Sequence, residues 1–408
     1  MRSVKLTIAG SYWDSQIYSG ELLLFDNDGG LHRIDWSSFV EQIAFKNDDI
    51  QTAVRVAFSD SDLFYNPKVV KILRDPDLET PIKAQLSKLS SLELHESKES
   101  WEKIWTTEST PFNFLPTDTE IYYNNIFAGG NEGLYSAPRQ GRPSGRVTST
   151  FKPKRHHDAT VLQVKASDSY TAIATASGGD GLFDFSLLKG SGETLSKARK
   201  IAERPCNACD WAFQSVLGWS ANSAFMASFR EEKEPNSKKT IRVVDRVIDQ
   251  SEIFQSSSDK ESFTWGAREK LYKLTDGRIE IQHYRANEKK SKKKYSKKFN
   301  AIGSLDFKNP SPVVIASGTA SFGTVLEFCD RILVLRSDGS EEEFLEEPVH
   351  WRIFPRSEHY SNQLHIIYED RLVVISFVHD YFVDQSSKLF GFSKGKNEYS
   401  EFDSEPYV

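Results

Sequence analysis

One local pattern recurs along this chain and limits what it can become: an apolar run, a tight turn rich in aspartate or glycine, and a second apolar run. It is read at Glu21–Phe25, Asp26–Gly30 and Leu31–Trp36, at Asn125–Tyr135 around Asn131-Glu132-Gly133, and at Thr171–Phe183 around Gly178-Gly179-Asp180-Gly181. Further copies lie at Lys270–Ile281 around Asp276-Gly277, at Arg331–Ser340 around Asp338-Gly339, and at Leu364–Ile375 around Glu369-Asp370. Glycine and aspartate supply the positive φ that short hairpin turns demand, so each copy predicts a β-hairpin.

The spacing of the copies sets the architecture. Those beginning at 125 and 171 are 46 residues apart; from 171 to 270 is 99, or two steps; from 270 to 331 is 61, with a lysine run inside. The middle of the long gap has an occupant in Gly218-Trp219, Ala224–Phe229 and Thr240–Val244, and in the first gap, from 21 to 125, Ala53–Tyr65 reads as a turn-bearing hairpin. A unit of roughly 40 to 60 residues holding four short strands is a propeller blade. The pattern resembles a β-propeller of the WD40-like kind across about 330 residues, in architecture alone. No Gly-His…Trp-Asp pair recurs, and the single Trp13-Asp14 falls outside the repeat.

The resemblance implies an all-β ring of about seven four-stranded blades and a bias toward interaction surfaces. It carries no catalytic residue over. A pair of β-sandwiches is the competing architecture, and six or eight blades remain open. One propeller is expected over 1–393, closed by pairing a strand near Val4–Gly10 with strands near Val373–Phe382; closure removes sheet edges that would template aggregation. Within the ring, 67–105 reads as a helical insertion, because Ile82, Leu86 and Leu89 fall at i, i+4 and i+7. It is expected to cover a blade or to act as a docking arm. The last segment, 394–408, reads as an acidic flexible tail.

Charge is unevenly placed. The chain of 408 residues carries a formal net charge of −6, yet two runs, Pro138–His157 and Lys289–Lys298, hold basic residues and no acid. Between Pro138 and His157 stand Arg139, Arg142, Arg146, Lys152, Lys154 and Arg155 without an acid; a Lys-rich loop over 286–300 holds Lys289, Lys290, Lys292, Lys293, Lys294, Lys297 and Lys298. These are candidates for nucleic-acid or polyanion binding, since each lysine that neutralises a phosphate releases condensed counterions. Solvated hairpin tips are the plainer reading, and the acidic remainder differs from a uniformly basic nucleic-acid binder.

Other chemistry is sparse. Cys206-Asn207-Ala208-Cys209 is a C-x-x-C pair, but a zinc site needs two more ligands and Cys329 stands far off, so small residues packing near a loop is the expectation. His350, His359, His365 and His379 gather near the C-terminal end, and Arg352, Arg356, Tyr360, Asn362, Asp380 and Tyr381 lie among them. With His359, His365 and His379 they are candidates for binding a ligand or partner; hydrogen bonding between strands is the plainer reading. The sequence holds no phosphate-binding loop, nucleophile elbow or zinc-protease signature, so no catalytic residue, metal or cofactor is assigned.

No run approaches the ~18 consecutive apolar residues of a membrane helix, and three cysteines suit a reducing compartment; a cytoplasmic protein without membrane contact is expected. Its expected work is as a non-enzymatic scaffold or recognition subunit of a larger assembly, binding protein partners through rim loops and the helical insertion. An accessory subunit touching RNA or DNA through the basic loops, and an enzyme with an axial-channel site, are the alternatives.

Overall fold

The computed structural model describes residues 2–59, 67–100, 104–139, 152–188, 194–220, 223–233, 240–255, 262–275, 277–284, 299–308, 313–378, 382 and 388–391. Strand β1 (Val4–Ala9) opens the chain. Blade 1 follows as β2 (Tyr12–Tyr18), β3 (Glu21–Asp26) and β4 (Gly30–Asp35), interrupted by helices α1 (Trp36–Lys46), α2 (Gln51–Phe58), α3 (Pro67–Leu73) and α4 (Pro76–Leu89) and strand β5 (Leu94–Glu96), and completed by β6 (Trp105–Ser109). Blade 2 is β7 (Asp118–Tyr122), β8 (Asn125–Gly130), β9 (Gly133–Pro138) and β10 (Lys154–His157). Blade 3 is β11 (Gln163–Ala166), β12 (Ala172–Ala176), β13 (Leu182–Ser186) and β14 (Arg199–Ala202).

Blade 4 comprises β15 (Ala208–Ala212), β16 (Ser215–Ser220), β17 (Ser223–Lys233) and β18 (Thr240–Asp249), followed by α5 (Gln250–Phe254). Blade 5 comprises β19 (Ser262–Ala267), β20 (Lys270–Thr275), β21 (Arg278–Tyr284) and β22 (Phe299–Asp306). Blade 6 comprises β23 (Ala316–Ala320), β24 (Gly323–Glu327), β25 (Arg331–Arg336) and β26 (Glu341–Leu345). Blade 7 has β27 (His350–Ile353), β28 (Gln363–Ile367) and β29 (Arg371–Ser376), and takes β1 as its fourth strand.

The fold is an all-β propeller of seven blades, six of them four-stranded sheets and the last extended to five strands by β5. The first strand of each blade packs on the first strand of the next, and β27 returns to β2, so the ring is closed; two separate sandwiches would leave no such circuit. Closure comes from the antiparallel pairing of β1 with β29, with Val4 opposite Ser376 and Ala9 opposite Arg371, as the sequence predicts.

Burial follows position in the blade. Middle strands lie between two neighbouring sheets and read as continuous apolar runs, such as Leu22-Leu23-Leu24-Phe25 and Leu372-Val373-Val374-Ile375. Outer strands face water on one side; β6, Trp105-Thr106-Thr107-Glu108-Ser109, buries only its first residue. Each junction between neighbouring blades holds its own apolar cluster: Leu23, Phe25, Ile121 and Ile126 seal blades 1 and 2, and Val325, Val334, Leu364 and Ile366 seal blades 6 and 7. The core is therefore distributed around the ring.

Four antiparallel strands return the chain to the face from which it set out. Every first strand thus begins on one face, called here the leading face, and ends on the trailing face. The turns joining second to third strands lie on the leading face, and five of the six acidic or glycine turns of the repeat are among them, including Asn27-Asp28-Gly29, Asn131-Glu132 and Glu369-Asp370; the sixth, Asp338-Gly339, joins β25 to β26, third strand to fourth, and lies on the trailing face. Gly133, at φ +118°, shows why glycine is needed: a Cβ there would lie 1.9 Å from the His157 carbonyl oxygen.

The helical insertion begins earlier than the sequence reading placed it. Ala53–Phe58, taken above as part of a hairpin, is helix α2, and helix already starts at Trp36. The β-branched residues misled: Ala53, Val54, Ala57 and Phe58 are buried with a helical period. Asp35 caps α1 by accepting a hydrogen bond from the Ser38 N–H at 3.0 Å, and the buried Trp36 indole donates to the Phe58 carbonyl at 2.7 Å. Leu86 and Leu89 are buried and Ile82 packs against the same cluster, which bears out the spacing noted for α4. The insertion leaves blade 1 and lies on blade 7: β5 pairs in parallel with β1, and the Ser376 hydroxyl donates to the Ala57 carbonyl at 2.6 Å. It covers the closing edge of the ring.

Candidate functional site: the axial ion cluster and the leading face

The first strands line the axis, and three of them contribute a buried ion cluster. Asp14 stands on β2, Asp118 begins β7, and Arg352 lies on β27, so blades 1, 2 and 7 meet here. The Arg352 guanidinium grips Asp14 with its fork, Nε to Oδ1 at 2.7 Å and Nη2 to Oδ2 at 2.7 Å, and Nη2 also reaches Asp118 Oδ1 at 2.5 Å. All three side chains are buried. Planar, bidentate pairing is what arginine offers and lysine does not.

The remaining lone pairs are also engaged. Asp14 Oδ1 accepts from the Ser15 N–H at 2.8 Å and Oδ2 from the Thr119 hydroxyl at 2.5 Å, while Asp118 Oδ2 accepts from the Val164 N–H at 2.8 Å, which ties in blade 3. Burial alone would raise the Asp14 pKa, but Arg352 and His350 hold it below the ordinary carboxylate value. The Arg352 pKa is raised, the two carboxylates outweighing its burial.

His350 Nε2 lies 3.5 Å from Asp14 Oδ1, and Asp14, Asp118 and His350 bring ligand atoms within 4.8 Å of one another, as a metal site would. The donor set argues otherwise. Asp14 already accepts four hydrogen bonds, about the capacity of a carboxylate, and Arg352 supplies the cation between the two acids. Burial and the neighbouring Arg352 push His350 down to about 4. His365, fully buried on β28, is pushed down by burial to about 3; its Nδ1 lies 3.1 Å from the Ser15 hydroxyl. Asp210, on β15, is pushed up to about 6 by burial.

The C-terminal candidates of the sequence reading separate here. Arg356, on the trailing-face loop of blade 7, reaches past blade 1 to the Glu120 carboxylate and the Ile121 carbonyl and lies 4.9 Å over the Tyr122 ring. Tyr360 accepts from the Gly20 N–H at 3.1 Å, and Asn362 donates to Ser376 at 3.0 Å. His359 is half-buried on the same loop. These contacts join blades 7, 1 and 2. His379, Asp380 and Tyr381 lie outside the described residues.

Of the basic candidates, Arg139 is held inside: it pairs with Glu21 at 2.7 Å and covers the Tyr18 ring. Arg155 pairs with Asp158 at 3.0 Å, Lys154 is half-buried and Lys152 is exposed. Arg142, Arg146, and Lys289, Lys290, Lys292, Lys293, Lys294, Lys297 and Lys298 lie outside the described residues, as does 394–408. The strand ends that flank both segments, Pro138 with Lys154 and Tyr284 with Phe299, stand on the trailing face.

The cysteines of the C-x-x-C pair are buried, and burial pushes Cys206 up to about 12, far from a reactive thiolate. Both belong to the apolar cluster with Trp211, Val216 and Phe225.

The leading face has another character. Exposed apolar side chains stand at its interblade connections: Leu115 before β7, Val313 and Ile315 before β23, and Leu345 and Val349 around the passage from β26 to β27. Its turns and connections carry Asp28, Glu132, Asp158, Asp180 and Glu203, then Glu252, Asp330, Glu346, Glu347, Glu369 and Asp370, against Arg204 and Lys308 among the described residues. Sequence reasoning registered Asp28, Glu132, Asp180, Glu369 and Asp370 as turn residues, passed over the acids of the interblade connections, and missed that the topology collects both sets on one face. It also missed Asp14 and Asp118, whose only signal is a carboxylate at the start of a first strand.

Among the described residues, no helix is long and apolar enough to cross a membrane. No family model matches the chain, and no curated protein matches it. Among solved structures the chain is similar to the WD40 β-propeller domain of Doa1, at 8% identity over 92% of this chain and 97% of that one, with a TM-score of 0.47. It is similar also to the AfRom2 CNH domain, at 12% identity over 64% of this chain and 94% of that one, with a TM-score of 0.34.

Proposed function

We propose that this protein is a non-enzymatic scaffold or recognition subunit of a larger assembly and binds protein partners through its leading face and its helical insertion. The observation that carries this reading is the set of exposed apolar side chains, Leu115, Val313, Ile315, Leu345 and Val349, gathered on one face of a rigid ring. Apolar side chains grouped among polar ones mark a surface that another protein covers. The insertion adds Phe45, 79% exposed on α1. By contrast, the charged groups at the axis engage one another, which favours a structural part for them over substrate chemistry.

Cross-linking of the intact protein in nuclease-treated cell extract tests the reading. Exposed lysines stand on the insertion at Lys46 and Lys88 and on the leading face at Lys308. A stoichiometric protein partner cross-linked to these positions is expected. Material recovered only without nuclease would overturn it in favour of a second reading, contact with RNA or DNA through the basic segments. What favours that alternative is that the strands flanking both segments end on the same trailing face; its mark would be binding that weakens steeply with salt.

A further inference from the structure

We infer that the leading face at blades 6 and 7 docks a protein segment in which lysine or arginine alternates with apolar side chains. The inference rests on the scaffold reading and adds the chemistry of the partner. Four large apolar side chains stand on these two adjacent blades: Val313 is 67% exposed, Ile315 53%, Leu345 75% and Val349 49%. Three of them are held by regular backbone: Leu345 pairs with Arg331 in the sheet of blade 6, the Ile315 N–H donates to the Glu327 carbonyl and the Val349 N–H to the Ile367 carbonyl, both at 2.8 Å. At these three positions the surface is therefore preformed, and a partner gains their apolar contact without first ordering it.

Charge selects among occupants. Two arginines rim this surface, and both are engaged at home: Arg331 pairs with Asp330 at 2.8 Å, and Arg371 with Asp370 at 2.7 Å and Glu346 at 2.6 Å. Glu347 and Glu369 are exposed and have no cationic partner among the described residues. A neutral apolar partner would strip water from these carboxylates and return nothing. An acidic partner, an anionic lipid surface or a second leading face laid against the first would meet like charge. A basic segment with apolar anchors gives each carboxylate a counterion and each apolar group a contact.

The protein carries its own reporter. Of its three cysteines, Cys206 and Cys209 are buried, while Cys329 is exposed on the turn between β24 and β25 of blade 6, on this same face. A fluorophore on Cys329 of the intact protein is titrated with a peptide of alternating lysine and leucine, with its glutamate–leucine counterpart, and with a lysine–glycine peptide. The lysine–leucine peptide is expected to bind saturably, about tenfold more weakly in Val349→Glu and in the double variant Glu347→Lys/Glu369→Lys, and more weakly at high salt. These positions are exposed, so the urea midpoint of both variants is expected to stay at the wild-type value, and this is checked alongside.

Equal binding of the glutamate–leucine peptide, or lysine–leucine binding indifferent to both variants, overturns the inference. The two readings fail separately. A stoichiometric partner that cross-links to the wild type and is lost in both variants supports the docking face; one that both variants retain overturns the docking face and leaves the scaffold reading standing.

Discussion

Arg352 shows how one residue can hold a ring together. Its guanidinium joins blade 7 to blades 1 and 2, and Asp118 passes the link to blade 3 through the Val164 N–H. Breaking a buried pair by removing one partner costs about 3–5 kcal/mol, because a charge is left without its counterion. Arg352→Ala is expected to lose that much in urea unfolding, and Asp14→Asn/Asp118→Asn/Arg352→Met to recover most of it; a loss below about 1 kcal/mol in the single variant would remove the cluster from the stability argument.

His365 gives a second residue-scale expectation. Its folded pKa of about 3 lies below the ordinary 6.5, so between those values the unfolded chain binds a proton that the native chain refuses. The stabilisation is full above pH 6.5 and is lost as pH falls toward 3. His350 acts in the same direction down to about 4, and Asp14 adds its own loss as pH falls through its lowered pKa. One such proton is worth about 1.4 kcal/mol per pH unit. His365→Asn is expected to flatten the acid limb of a stability–pH curve by roughly that slope; an unchanged slope would show that His365 titrates normally.

At the scale of elements, hairpins were readable and the insertion was only half readable. Turn chemistry is local, so Asp-Gly, Glu-Gly and their neighbours announce each turn wherever the chain goes. The helices of the insertion are short, and their valines and phenylalanines suit strand or helix alike until burial decides. Their start is set by the cap at Asp35. Asp35→Ala is expected to cost about 1 kcal/mol in chemical denaturation with an unchanged m-value, and to speed hydrogen exchange first at the opening turn of α1. A change in m-value would mean that the insertion had detached as a unit.

For the whole molecule, the recurrence of hairpins along the chain carried the ring architecture, and blade number only to about seven, because the insertion in blade 1 was counted as a hairpin and the Asp338-Gly339 turn is out of register with the other copies. The site was less legible. Asp14, Asp118 and Arg352 are far apart in the chain and meet only because the ring returns on itself. The acidity of the leading face is a similar case: each acid belongs to its own turn or interblade connection, and parity of strand direction puts them together.

The seam has a mechanical consequence. β1 and β29 are antiparallel, with Val4 opposite Ser376, so both chain ends leave the ring side by side on the trailing face. A force drawing these ends apart would load one pair at a time and peel the seam like a zipper. A pull from the C-terminal side first meets Lys388–Gly391, where the Leu389 N–H donates to the Ser337 carbonyl at 2.9 Å and Phe390 is buried in the cluster between blades 5 and 6. Tension from that side is thus borne by blade 6 before it reaches the β1–β29 seam.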